Sequence, residues 1–156
     1  MLKLINNWEY SVFGIDNFKS LTKLSYYYDF IKKNINKIDG DILEVGVYRG
    51  KSLLATALLL KELNSNKKIY GFDSFSGFPP VIHSNDNFEN FKILLDQKKI
   101  THSHYNEHIK LLRYKNLLKK NNYSPNNIST SESFEDTSYE EVMKKADLLG
   151  LDNIIL

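Results

Sequence analysis

Apolar residues recur along this chain at two spacings, and the changes between them divide it into elements. Over residues 20–36, Leu24, Tyr28, Ile31 and Ile35 fall at helical intervals while Lys32 and Lys33 lie off that line, which predicts an amphipathic helix. Asp39-Gly40-Asp41 then supplies a turn. Ile42, Leu43, Val45 and Val47 make a short apolar run with β-branched residues, the composition of a strand covered on both faces. Past Gly46 and Gly50, residues 51–63 are apolar nearly all round, as in a helix buried on most sides. Asn64-Ser65-Asn66 stops that helix, and residues 69–72 read as a second strand ending at Asp73.

The remainder alternates helix with loop. Ser74-Phe75-Ser76-Gly77-Phe78-Pro79-Pro80 excludes regular structure, because the prolines remove donors and Gly77 permits a tight turn. Phe75 and Phe78 either cover a ligand or fill a satellite core. Residues 86–98 suit a helix with Phe88, Phe91, Leu94 and Leu95 on one face. Residues 105–120 suit another, apolar at Ile109, Leu112 and Leu117 and basic at Lys110, Arg113, Lys115, Lys119 and Lys120. Residues 121–136, with Pro125, read as a loop, 138–149 as a short helix, and Asn153 to Leu156 as a third strand. The first fifteen residues carry Trp8, Tyr10 and Phe13 without a clear period, and the pattern assigns them no element.

Strands separated by helices predict an α/β domain with a parallel sheet. The expected organisation is a helical leader over 1–39 and an α/β domain over 40–156. The connection from Asp73 to the helix at 138 is longer than the usual few residues. Residues 81–137 therefore read as an insertion, placed to act as an acceptor-binding lid, a dimer contact or decoration. The Tyr26-Tyr27-Tyr28 run cannot face one way on a helix. One ring should be exposed, with the helix packed on the sheet near the ligand mouth.

Composition narrows the function. The 156 residues suit one domain, and the 42% hydrophobic and 26% charged fractions are those of a globular chain. A net charge of +2 is too small to imply nucleic acid or a membrane surface. The longest apolar run, residues 53–60, is too short to span a bilayer and contains Thr56. The chain has no cysteine, which excludes disulfides and thiolate metal sites. With no apolar leader at the start, a cytoplasmic location is expected, and the sequons at Asn122 and Asn127 would go unused. His102, His104 and His108 lie within seven residues but lack a third-ligand pattern. They read as solvated histidines, and no metal site is assigned. The basic positions of 110–120 read as a solvated helix face.

The chemistry concentrates at the first two strand ends. A strand, a glycine-bearing turn and a helix bring backbone N–H groups and a positive helix end to the strand's carboxyl tip, which favours a ligand with a polar or anionic group. An acid at the end of the second strand commonly accepts from ribose hydroxyls, which assigns Asp73 to a ribose. The dinucleotide fingerprint places glycine where this chain has Glu44. That carboxylate would repel a pyrophosphate and attract an ammonium. S-adenosylmethionine has a ribose, an ammonium, a sulfonium and no phosphate, so the charge pattern favours it over NAD. Ser52, in the first helical turn, would cap free N–H groups or touch the cofactor carboxylate, capping being the favoured role.

The residues Glu44-Val45-Gly46-Val47-Tyr48-Arg49-Gly50-Lys51-Ser52, followed by Tyr70-Gly71-Phe72-Asp73-Ser74-Phe75-Ser76-Gly77-Phe78-Pro79-Pro80, resemble the macrocin (TylF-type) O-methyltransferases. These are class I S-adenosylmethionine-dependent enzymes. The resemblance is close over 40–80 and weaker at 153–156. It implies a Rossmann-like, three-layer α/β/α fold with strand order 3-2-1-4-5-7-6, of which this chain would supply the first three strands. The chain is thus expected to be the amino-terminal part of a longer enzyme, inactive alone. It implies that Glu44 serves the methionine amino group, Gly46 and Gly50 the backbone contact, and Asp73 the ribose. Val45, Ser52, Ser74 and Phe75 complete the expected cofactor-binding set. The family's Mg2+, which binds acceptor hydroxyls, would be held beyond the third strand, so no catalytic residue is assigned. The implied acceptor is a small molecule or glycan with a free hydroxyl, that of a sugar in a natural product or surface glycan, with a homo-oligomer left open. Competing readings are an NAD- or nucleotide-sugar-binding domain and a non-catalytic interaction module.

Overall fold

The computed structural model describes residues 3–77, 89–120, 134 and 136–156. The two expected strands form as β1 (Ile42–Val45) and β2 (Ile69–Phe72), joined by α3 (Lys51–Glu62). They run parallel, Ile42 opposite Ile69 and Val45 opposite Phe72. β3 (Ile154–Ile155) lies parallel on the far side of β2, with Ile154 opposite Ile69. The order β1-β2-β3 is an α/β arrangement in the partial strand order that the resemblance implies.

The core lies on one face of this sheet. Every residue of 53–60 in α3 is buried. Gly71 sits in β2 beneath it, where a Cβ would come within 2.7 Å of Leu53 Cδ1 and 2.8 Å of Val47 Cγ2. Glycine at this position lets the helix approach the strand. Before β1 come α1 (Asn7–Phe13), α2 (Ser25–Asn34) and a 3-10 turn (Ile35–Lys37). Tyr10, Phe18, Tyr28 and Ile31 join the same hydrophobic cluster as α3, so the leader packs as part of this core. Tyr28 is fully buried and donates its hydroxyl to Asp16 Oδ2 at 3.1 Å, Tyr27 is half-buried, and Tyr26 is 95% exposed.

α1 is the element that apolar spacing did not assign. Its start is fixed locally: Glu9 Oε2 accepts from the N–H groups of Asn6 and Ile5 at 2.5 and 2.7 Å, an Asn-x-x-Glu capping arrangement. Gly14 ends it at φ 66°. α6 (Tyr139–Leu149) is similarly bounded by Ser138, which accepts from Glu141 N, and by Gly150 at φ 66°. It contributes Val142, Ala146 and Leu149 to the core.

The expectation that β1 is covered on both faces is corrected. Ile42 and Glu44 turn toward the core side, while Leu43 is 62% and Val45 77% exposed. Phe72, beside Val45 in the ladder, is 54% exposed. The alternation of strand side chains puts these residues on the face opposite α3.

Residues Met1–Ser76 with Asp136–Leu156 form one compact unit and Gly77–Glu135 a second. Within the second, α4 (Glu89–Asp96) packs on α5 (His102–Lys120). Phe91 stacks on His108 with ring centroids 4.2 Å apart, and lies 5.8 Å from His104. The solvation expected of these histidines is incomplete only at His108, which is half-buried under the ring of Phe91, while His102 and His104 are exposed. Phe78, Pro79, Pro80, Phe88 and the predicted loop with Pro125, Asn122 and Asn127 lie outside the described residues.

Candidate functional site

β1 delivers Glu44 to the core side of the sheet near its carboxyl end. The carboxylate is half-buried, and Ser52 Oγ donates to its Oε1 at 2.9 Å. Burial pushes the Glu44 carboxyl above its usual range, and the Ser52 hydroxyl partly offsets this. The capping role expected of Ser52 is corrected. Gly50 occupies the N-cap of α3 without a side-chain cap, and the serine hydroxyl turns to the stronger acceptor, a carboxylate of the preceding strand. Tyr27 adds a neighbour on the same side, its hydroxyl 3.2 Å from Thr56 Oγ1.

The two glycines of the turn do different things. Gly46 has φ 89°, and its N–H continues the ladder to Phe72 O at 2.8 Å. A Cβ there would meet nothing within 4 Å, so open space lies beside this backbone. Gly50 has φ 75°, and a Cβ there would come within 3.0 Å of Val142 Cγ1 on α6. Its neighbour is packed protein, and the glycine is required by the left-handed turn and the close helix.

Asp73, just beyond β2, is the organiser of this turn. Its Oδ2 accepts from Tyr48 N and its Oδ1 from Phe75 N, both at 2.8 Å. Burial pulls the carboxyl upward, but the N–H groups of Tyr48, Phe75, Val47 and Ser74 outweigh it and hold Asp73 below the usual range. One carboxylate therefore ties the segment after β1 to the segment after β2.

A second clamp, not anticipated from sequence, holds the same turn. Tyr48 donates its hydroxyl to Asp136 Oδ1, and Arg49 pairs with Asp136 through its guanidinium, with Nε 3.0 Å from Asp136 O. Thr137 donates its hydroxyl to Tyr48 O. Tyr48 is at φ 53°, a left-handed conformation that costs a non-glycine residue about 1–3 kcal/mol unless its surroundings hold it. These bonds and Asp73 supply that restraint. The partners lie 87 to 89 residues apart in the chain, so no local pattern could reveal them.

Of the other expected site residues, Val45 points away from the core and Ser74 is exposed next to Asp73. Phe75 is half-buried, packs against the core, and meets Tyr139 of α6 edge-on with centroids 5.8 Å apart. The filling role for Phe75 is thus occupied. Among the described residues no group of three or more His, Asp or Glu side chains is arranged to hold a metal ion, and no helix is long and apolar enough to cross a membrane. Glu44 and Asp73 therefore stand at the carboxyl ends of adjacent parallel strands, with the open backbone of Gly46 on the turn between them.

The family profile of macrocin O-methyltransferase (TylF) matches residues 17–114, more than half of the chain and the whole span from the leader through both strand tips. The chain belongs to this family. Among solved structures, the O-methyltransferase NovP is 20% identical, with a TM-score of 0.49 over 85% of this chain and 43% of NovP. The macrocin-family chain described here thus spans less than half the length of that relative. No curated protein matches it.

Proposed function

We propose that this chain carries the methyl-donor half of an S-adenosylmethionine-dependent O-methyltransferase acting on a hydroxyl of a sugar-containing small molecule or glycan. The observation that carries the reading is the pair Glu44 and Asp73 on neighbouring strand ends beside the unobstructed Gly46. Family membership supports the reaction class.

The residues present suit the cofactor. Among the described residues Ser52 is the one side-chain donor to the half-buried Glu44, so its charge is incompletely compensated there. An ammonium beside it would relieve that deficit and return the carboxyl toward its ordinary range. Asp73, an acceptor-only carboxylate at the end of β2, would accept from ribose hydroxyls, which would share its oxygens with the backbone donors. Gly46 would let the adenosyl thioether lie against the main chain. Ser52, already donating to Glu44, would fix that carboxylate's direction. When bound, S-adenosylmethionine would supply an electrophilic methyl group beside these residues. The work of the chain is then to bind, to align and to exclude water. No step is assigned to a divalent metal, because the described residues offer no ligand set for one.

Calorimetric titration of the chain with S-adenosylhomocysteine, NADH and a UDP-sugar tests the reading. Saturable binding of S-adenosylhomocysteine, weakened roughly tenfold by Glu44→Gln, is the expected result. Preference for NADH or the UDP-sugar would replace it with the dinucleotide or nucleotide-sugar reading.

A further inference from the structure

A separate hollow lies on the leader side of the same turn. α1, the segment 14–22, the turn at 48–51 and α6 border a cavity of about 840 Å³, within the size range of small-molecule sites. Arg49, Lys51 and Lys145 all line it. Two of these cations are matched: Arg49 pairs with Asp136, and Lys51 Nζ lies 3.1 Å from Oδ1 of the buried Asp16. Lys145 differs. Among the described residues no carboxylate oxygen lies within 4.0 Å of its ammonium, and its short contact there is the carbonyl of Arg49 at 3.5 Å.

Burial pushes the Lys145 ammonium below the ordinary lysine range, Glu141 draws it back up, and Arg49 adds to the lowering. Glu141 lies one turn earlier on α6, lines the same cavity and is exposed, so water screens its charge. A partly desolvated cation facing a cavity without a contacting counter-ion gains from an incoming anion. Ser11, Ser20 and Thr22 line other parts of the cavity. The Ser11 and Ser20 hydroxyls donate to Asn7 O and Asn17 O, which leaves their oxygens to accept from a polyhydroxylated body. Tyr48 belongs to this cavity and, through its backbone N–H, to Asp73.

The geometry points to this cavity as the seat of an anionic group of the acceptor, a phosphate or a carboxylate held on Lys145. The inference rests on the methyl-donor reading for naming the ligand an acceptor. The preference of the cavity for an anion stands apart from it. The acceptor would then be an acidic or phosphorylated sugar conjugate, its charged end anchored on the leader side of the turn and its hydroxyl directed to the strand ends.

Heteronuclear NMR titration of the chain with glucose 1-phosphate, glucuronate and methyl glucoside tests this. Either anion should bind at least roughly tenfold more tightly than methyl glucoside and shift the amides around Gly14, Arg49 and Lys145. A response to glucose 1-phosphate alone assigns a phosphate, and a response to glucuronate alone assigns a carboxylate. Lys145→Met should abolish the preference, Lys145→Arg should keep it, and Glu141→Gln should strengthen binding about threefold. Equal affinity for all three probes, or shifts confined to other surfaces, overturns the proposal even if Lys145→Met fails to fold. A parallel titration with S-adenosylhomocysteine separates the two readings. Anion binding without it sustains the cavity and removes the donor site, and the reverse removes the cavity.

Discussion

Two carboxylates one strand apart are held in opposite electrostatic states, and their pH behaviour should differ in sign. Asp73 is stabilised as an anion by backbone donors. Its contribution is complete above the unfolded aspartate pKa of ~3.9 and is lost as pH falls through its lower folded value. Asp73→Asn places a donor against backbone donors and should cost about 1–2 kcal/mol in urea unfolding at pH 7, a difference that shrinks in acid. Glu44 is the converse. Its folded pKa is raised by burial, so stability falls as pH rises from the unfolded value through the folded one, and the deficit remains at neutral pH. Glu44→Gln should therefore raise the melting temperature at pH 7 while weakening the cofactor analogue. A variant that loses both stability and binding would show that the carboxylate is a structural group.

At the scale of elements, the turn between β1 and α3 depends on glycine for two separate reasons. Gly46→Ala meets no neighbour and should cost only the left-handed backbone strain, about 1 kcal/mol. Gly50→Ala adds a methyl 3.0 Å from Val142 and should cost about 2–4 kcal/mol in total. Val142→Ala should recover part of that second loss and none of the first, which a double-mutant cycle measures directly. Both glycines were visible in the sequence because a turn punctuates the pattern there. Their difference was not, because Val142 lies on an element reached only after the second unit. α3 was legible from its run of leucines, and α2 from its helical period. α1 was missed by apolar spacing although Asn6 and Glu9 signalled its start, a capping pattern that is local and readable. The role of Ser52 was misread for the opposite reason. A serine in a first helical turn looks like a cap until the strand carboxylate beside it is known. The clamp from Asp136 and Thr137 onto Tyr48 and Arg49 had no signal, since a short polar stretch far along the chain gives no hint of its partner.

For the whole molecule, the sheet places its two sides in unlike surroundings. α3 and the leader bury one side, while Leu43, Val45 and Phe72 remain more than half exposed on the other. Contiguous apolar surface of this kind binds hydrophobic dyes and promotes association. The chain should accordingly bind anilinonaphthalene sulfonate in its native state, and the pair Leu43→Thr with Val45→Thr should reduce that fluorescence by about half without lowering the unfolding midpoint. Unchanged fluorescence would mean that the face is covered in solution. The central claim concerns the other end of the sheet, where the strand tips meet. Its most direct test is a heteronuclear NMR titration with S-adenosylhomocysteine. Shifts should concentrate at the amides of Gly46, Tyr48, Ser74 and Phe75, and in Glu44→Gln the same shifts should need about tenfold more ligand. Binding that leaves these four amides unmoved, or no binding at millimolar ligand, would contradict the account.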